Sequence, residues 1–171
     1  MLRRMDAADE TNAAVERVRA ALRAAGHPDT VAAFPGGTRT AADAAAAIGC
    51  TVAQIAKSIV FRAGSRAAVV VASGANRVDP AHAAAALELP PGVRLERADP
   101  AFVLAATGFA VGGVAPVGHT SPPLLLLDED LLALDPVWAA AGSPRHVFRT
   151  SAAGLVRMTG ARTAAVRAGR A

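Results

Sequence analysis

One lysine, one cysteine, four histidines and one glycine-rich segment are the places in this 171-residue sequence where residue type and spacing suggest chemistry. Of 18 basic residues, Lys57 is the one lysine and the rest are arginine. Two readings of it stay open. A genome biased towards arginine codons leaves a lone lysine by chance, or Lys57 stands where arginine's wide planar fork does not fit and a compact ammonium does. It lies in Gln54-Ile55-Ala56-Lys57-Ser58-Ile59-Val60-Phe61, whose β-branched run reads as the start of a buried strand. A cation there is partly desolvated, and it is costly unless a carboxylate, a carbonyl or a ligand meets it. An internal salt bridge and a snorkelling surface lysine are the plain alternatives.

The second feature is Phe109-Ala110-Val111-Gly112-Gly113-Val114-Ala115-Pro116-Val117-Gly118-His119. Glycines let backbone N–H groups approach a ligand closely and converge on a carbonyl or phosphate oxygen, while Pro116 fixes the loop and donates nothing. Such a loop can polarise an ester, although a tight connection between strands explains most glycine-rich segments. His119, directly after it, can bind a terminal adenosine or move a proton, although a lone histidine at a loop end is more often a partly exposed bystander. Cys50 has no basic neighbour in sequence and reads as a packing residue. Asn76 and Asp79 read as a turn and a helix cap, and Trp138 and Phe148 as core.

Much chemistry is disfavoured. With one cysteine there is no disulfide framework and no CxxC knuckle, which suggests a reducing compartment. His27, His82, His119 and His146 are not spaced as metal ligands, and no HExxH, GxSxG or GxxxxGK[ST] string occurs, so no metal and no cofactor is expected. The net charge of +4 permits RNA contact, but the arginines are scattered and form no basic tail. Hydrophobic residues make up 53% of the chain, largely alanine, and no run approaches the roughly 20 residues of a membrane span. Residues 1–10 turn from basic to acidic without an apolar secretory segment, so the expectation is a soluble, cytoplasmic domain.

The elements that must position these residues follow from caps and periodicity. Val15, Val18 and Leu22 predict a helix over 6–25 that Gly26 ends. A short strand at 31–34 leads to Thr40, which caps a helix over 41–48, and Thr51 caps a second short helix that delivers Lys57. Strands at 58–62 and 67–72 flank Gly64-Ser65 as a hairpin. Asp79-Pro80 and Asp99-Pro100 open helices to Leu87 and about Thr107, with a strand at 93–97 between them. A strand at 124–127, a helical turn at 128–132, a strand at 146–149, a capped helix at 151–159 and a strand at 163–167 complete the chain. No repeat or linker divides it, so residues 1–26 are expected to belong to the same domain as residues 27–171. Helices mixed with a hairpin imply an α/β domain with a mostly antiparallel or mixed sheet.

Taken in order, Thr38-Arg39-Thr40-Ala41-Ala42, Gln54 to Phe61, Ser73-Gly74, Thr107 to Gly118, Leu127-Asp128 and Leu155 to Thr163 resemble the YbaK/ProX family of aminoacyl-tRNA deacylases, related to the editing domain of bacterial prolyl-tRNA synthetase. The resemblance covers roughly residues 27–167. Its specificity lies in the combination of the lysine strand with the GGVxPxG loop. It implies a compact, barrel-like α/β fold with surrounding helices and a shallow pocket. It implies trans-editing, the hydrolysis of the ester joining a wrong amino acid to the 3′ adenosine of a tRNA, and hence aminoacyl-tRNA as partner. An aminoacyl-tRNA synthetase is left open as a second partner, and no DNA or membrane is expected.

Carried over residue by residue, Lys57 matches the family's active-site lysine, and Gly112, Gly113 and Pro116 match the loop that holds the substrate carbonyl and backbone. Thr40 and Ser58 are adjacent candidates, and Val114, Gly118 and His119 complete the expected binding set. Many relatives carry a serine and paired glycines near the C-terminal third, where this chain reads Ala141-Gly142-Ser143-Pro144-Arg145. Ester hydrolysis of an aminoacyl-tRNA needs no protein nucleophile, because a positioned water or the ribose hydroxyl can attack, which agrees with the missing triad. The alternative is a noncatalytic tRNA- or synthetase-binding module with the same fold.

Overall fold

The computed structural model describes residues 7–169. Residues 1–6, including the predicted first residue of the N-terminal helix, lie outside them. That helix, α1, spans Ala7–Ala24, and Val15, Val18 and Leu22 are buried on one face at helical spacing. After β1 (Ala32–Ala33), Thr40 caps α2 (Ala41–Ile48), its hydroxyl accepting from Asp43 N at 3.0 Å. A 3-10 turn at Val52–Gln54 follows, held at its start by Thr51 N donating to Gln54 Oε1 at 3.0 Å. The chain then enters β2 (Ile55–Ala63), turns at Gly64-Ser65 and returns as β3 (Arg66–Ser73), the expected hairpin.

Asp79 and Asp99 cap α3 (Pro80–Ala86) and α4 (Pro100–Thr107), with β4 (Leu95–Arg97) between them. β5 (Leu124–Asp128), a 3-10 turn at Glu129–Ala133, β6 (Val137–Ala140) and β7 (His146–Thr150) follow. Ser151 caps α5 (Ala152–Thr159), and β8 (Arg162–Ala164) ends the sheet. β4 and β8 are thus shorter than the strands expected at 93–97 and 163–167. β6 was not foreseen: four residues ahead of a Gly-Ser-Pro stretch carry too little alternation to read as a strand, and pairing with β7 and β2 makes them one.

The eight strands form one mixed sheet in the order β1-β7-β6-β2-β3-β5-β8, with β4 beside β2. Among the described residues, four ladders are antiparallel and three parallel. β3 and β5 alternate between two cores. Val69, Val71 and Leu127 face α1, α4 and α5 through Val18, Val103 and Leu155, whereas Val70, Ala72 and Leu126 face Ala83 of α3. A third cluster sets Ala44 and Ala45 of α2 on Ile55, with Trp138 packed at its side. Phe148 is fully buried, as expected, but Trp138 is only half-buried because it stands beside a cavity.

Candidate active site

The cavity exists because β2 changes partners along one edge. Ile55–Ala56 pair with β6 and Phe61–Ala63 with β4, and between these ladders the edge is open. Gly74 N donates to the Ile55 carbonyl at 2.7 Å, so Ile55, Lys57 and Ile59 turn their main-chain groups towards β3. Ser58 therefore turns its N–H and C=O to the open edge. A cavity of about 300 Å³ forms there, lined by Lys57, Ser58 and Ile59 of β2, Thr40 and Ala44 at α2, Trp138 of β6, and Gly112 and Val114 of the glycine-rich loop. Ser58 lines it with main chain, because its Oγ is buried without a hydrogen-bond partner.

Lys57 is half-buried, and its side chain forms no ion pair or hydrogen bond among the described residues. Burial lowers its pKa below the usual lysine value, and the negative charge of Asp128 opposes that shift. The register explains the pairing. Lys57 lies opposite Ala72, and β5 runs beside β3 with Val71 opposite Leu127, so Asp128 continues the same row two strands away. At about 4.8 Å per strand that is roughly 10 Å between backbones. Asp128 is fully buried and accepts from Ser73 N (3.0 Å), Asn76 Nδ2 (2.8 Å) and Asp130 N (3.0 Å). Asn76 is thus a ligand of the carboxylate as well as a turn residue, and its Nδ2 also donates to Asp130 at 2.8 Å.

The glycine-rich loop is held from α1. Arg17 donates to the carbonyls of Gly108 (2.5 Å) and Gly118 (3.4 Å) and lies 5.0 Å from the centroid of the Phe109 ring, so one guanidinium ties both ends of the loop and stacks on its buried aromatic. Within the loop, Gly113 N donates to Ala110 O at 3.0 Å. The N–H groups of Gly112 and Val114 have no partner among the described residues, and both residues line the cavity. Gly113 serves close packing instead: a Cβ there would stand 2.7 Å from Ser143 Cα and 2.9 Å from Ser143 N. Ser143 is buried and fixed, its hydroxyl bonded to His146 Nδ1 at 2.5 Å and accepting from Arg145 N at 3.0 Å. The Ser143 main chain is therefore the bed of the loop.

Of the expected site residues, Lys57, Thr40, Ser58, Gly112 and Val114 meet in one cavity, and Gly113 lies directly behind it. Pro116, Gly118 and His119 do not meet them there. They line a separate cavity of about 360 Å³ with Ala21, Leu125 and Met158. His119 packs edge-on against Phe109 with its Nε2 buried and unpartnered, and burial holds its pKa down. Arg17, Arg39 and Trp138 were missed: one arginine among many, and a tryptophan on an unrecognised strand, carry no spacing signal. Cys50 is half-buried, and burial raises its pKa. Among the described residues no group of three or more His, Cys, Asp or Glu side chains is arranged to hold a metal ion, and no helix is long and apolar enough to cross a membrane.

The profile of the family described as the aminoacyl-tRNA editing domain matches residues 36–158, which takes in every residue named above as lining the Lys57 cavity. The chain belongs to that family. It is 32% identical over 114 residues to the uncharacterized protein YwhH of Bacillus subtilis (strain 168), covering 66% of this chain and 70% of that one. Among solved structures it is similar to a candidate trans-editing enzyme for prolyl tRNA synthetase, at 43% identity and a TM-score of 0.83 over 91% of this chain and 98% of that one. It is also similar to the hypothetical protein APE2540, at 30% identity and a TM-score of 0.78 over 88% and 98% of the two chains.

Proposed function

We propose that the chain is a trans-editing hydrolase that removes a wrong amino acid from the 3′ adenosine of a tRNA by cleaving the ester. Family membership supports the substrate class, and one observation supports the chemistry: Lys57, half-buried and unpaired, lines one cavity together with Gly112 and Val114, whose main-chain N–H groups have no partner among the described residues. In this reading the Gly112 and Val114 N–H groups meet the oxygen that gains charge as the ester carbonyl becomes tetrahedral, a role worth about 10²–10³ in rate per donor. Lys57 holds the ester or its neighbouring phosphate in place as a compact cation, and a water, positioned by the neighbouring ribose hydroxyl, attacks the carbonyl, so that the amino acid leaves as the free acid and the ribose oxygen takes up a proton. Thr40 and the Ser58 main chain complete the substrate contacts. Trp138, Ala44 and Ile55 form an apolar wall that suits a small side chain.

The test is a panel of mischarged tRNAs incubated with the purified chain. Release of amino acid from some members, lost in Lys57→Ala, supports the reading. Binding of tRNA without release from any member makes the chain the noncatalytic module instead.

A further inference from the structure

A second concavity adjoins the first. It measures about 230 Å³ and is lined by Pro35, Gly36, Gly37, Arg39, Asp43, Pro144 and Arg145, and Arg39 also lines the Lys57 cavity, so that side chain is the wall the two share. We propose that this groove is a phosphate subsite, in which Arg39 and Arg145 hold the phosphodiester that precedes the terminal nucleoside of an RNA 3′ end. The proposal rests on the reading above, since it places the terminal aminoacyl nucleoside on the Lys57 side of Arg39.

Three observations carry it. First, both guanidiniums are exposed, and neither makes an ion pair or side-chain hydrogen bond among the described residues. Arg66, Arg94 and Arg149 are likewise exposed without such a partner among the described residues, but Arg39 and Arg145 line the same groove. Two arginines without an internal task, on one groove, are placed for an outside anion, and their planar forks suit phosphate oxygens.

Second, the groove is built. Thr38 donates to the Pro144 carbonyl from both N (2.6 Å) and Oγ1 (3.1 Å), and Phe34 N donates to Arg145 O at 2.7 Å, which locks its two walls together. The stem of Arg39 lies against Gly112, where a Cβ would be 2.9 Å from Arg39 Cγ, so its guanidinium is tethered at the mouth of the editing cavity. Third, the charge fits. Asp43 is the groove's one carboxylate, and two cations against one anion leave a single positive charge in excess, the complement of one diester.

The experiment measures binding of a labelled single-stranded RNA ending in a 3′ adenosine, uncharged, to the full chain over a range of salt. Arg145→Gln and Arg39→Gln are each expected to weaken binding about tenfold, the lower range for a hydrogen bond to a charged group. Each is expected to flatten the plot of log affinity against log salt by about 0.7, the value for one single-strand phosphate. Arg145→Lys, which keeps the charge, should retain the slope. The same RNA with its last phosphodiester replaced by an uncharged methylphosphonate should bind the wild-type chain about tenfold more weakly and lose nothing further in Arg145→Gln, the signature of a coupled pair.

Unchanged affinity and slope in both Gln variants, or an equal loss on the uncharged RNA, overturns the proposal, as does absence of RNA binding by the wild-type chain or competition by inorganic phosphate alone with no RNA dependence. Circular dichroism melts show that the variants are folded. Because binding is read without hydrolysis, a chain that binds as described but deacylates nothing removes the proposed function and leaves the subsite. A chain that deacylates normally with both variants unaltered does the reverse.

Discussion

Adding one methyl group behind the loop tests how the cradle is held. In Gly113→Ala the new Cβ would sit 2.7, 2.8 and 2.9 Å from Ser143 Cα, C and N. All three are backbone atoms of a residue whose hydroxyl is pinned to His146 and to Arg145 N, so the bed cannot rotate away as a flexible side chain would. Reaching an ordinary carbon contact of about 3.5 Å requires the loop to lift by about 0.8 Å. Overpacking of this kind costs about 1–3 kcal/mol, and for a chain of this size each kcal/mol lowers Tm by about 2–4 °C. The Gly112 and Val114 N–H groups ride on the lifted segment, and a misplacement near 1 Å costs about 10²-fold in rate. Single-turnover deacylation of a tRNA that the wild-type chain edits, with a melt on the same sample, reads both. The expected result is a folded protein whose single-turnover rate falls about 10²-fold, with a smaller change in the protein concentration that gives half the maximal rate. A wild-type rate with a wild-type Tm would refute both the packing argument and the role given to the loop.

Other predictions follow from the same geometry. Arg17→Ala removes two carbonyl hydrogen bonds and a stacking contact from the ends of the loop; it should cost about 2–4 kcal/mol in denaturant unfolding and lower kcat as well, whereas a loss of stability with full kcat would limit Arg17 to the fold. Asp128→Ala leaves three N–H donors unmet in a buried site and should destabilise by at least about 3 kcal/mol in urea titration. Asp128→Asn removes the charge that raises the Lys57 pKa; if the ammonium is the working form, the alkaline fall of kcat/KM must move to lower pH, and a fall that stays put argues against it. Burial lowers the folded pKa of His119, so the unfolded chain binds the proton more readily and stability should drop as pH falls below about 6.5. His119→Phe should make Tm at pH 5.5 and 7.5 more alike, and an unchanged difference would assign the acid sensitivity elsewhere.

Much of the fold was legible because its signals are local. Thr40, Asp79, Asp99 and Ser151 each cap the helix they precede, Gly49 and Gly108 end helices in the left-handed region, and Gly64-Ser65 joins two β-rich runs. β6 was not legible, since what makes Val137–Ala140 a strand is two neighbours far away in sequence. The site divides in the same way. Lys57 stood out by being the only lysine and the loop by its glycines. Which loop residues reach the cavity depends on a turn that uses the Gly113 N–H internally and carries Pro116, Gly118 and His119 to the other side, and no spacing rule encodes that. Asp128 was visible only as the start of a helical turn and as part of the family resemblance, and its influence on Lys57 comes from strand register. Arg17 and Arg39 were hidden by the arginine-rich composition.

The most direct measurement is the rate at which the purified chain and its Lys57→Ala variant release amino acid from tRNAs charged with a wrong, small residue. Turnover is expected from the wild-type chain, with at least a 10²-fold slower rate in a variant that melts at or above the wild-type temperature, since the substitution removes a half-desolvated charge without opening the core. Equal rates in the two proteins would contradict it.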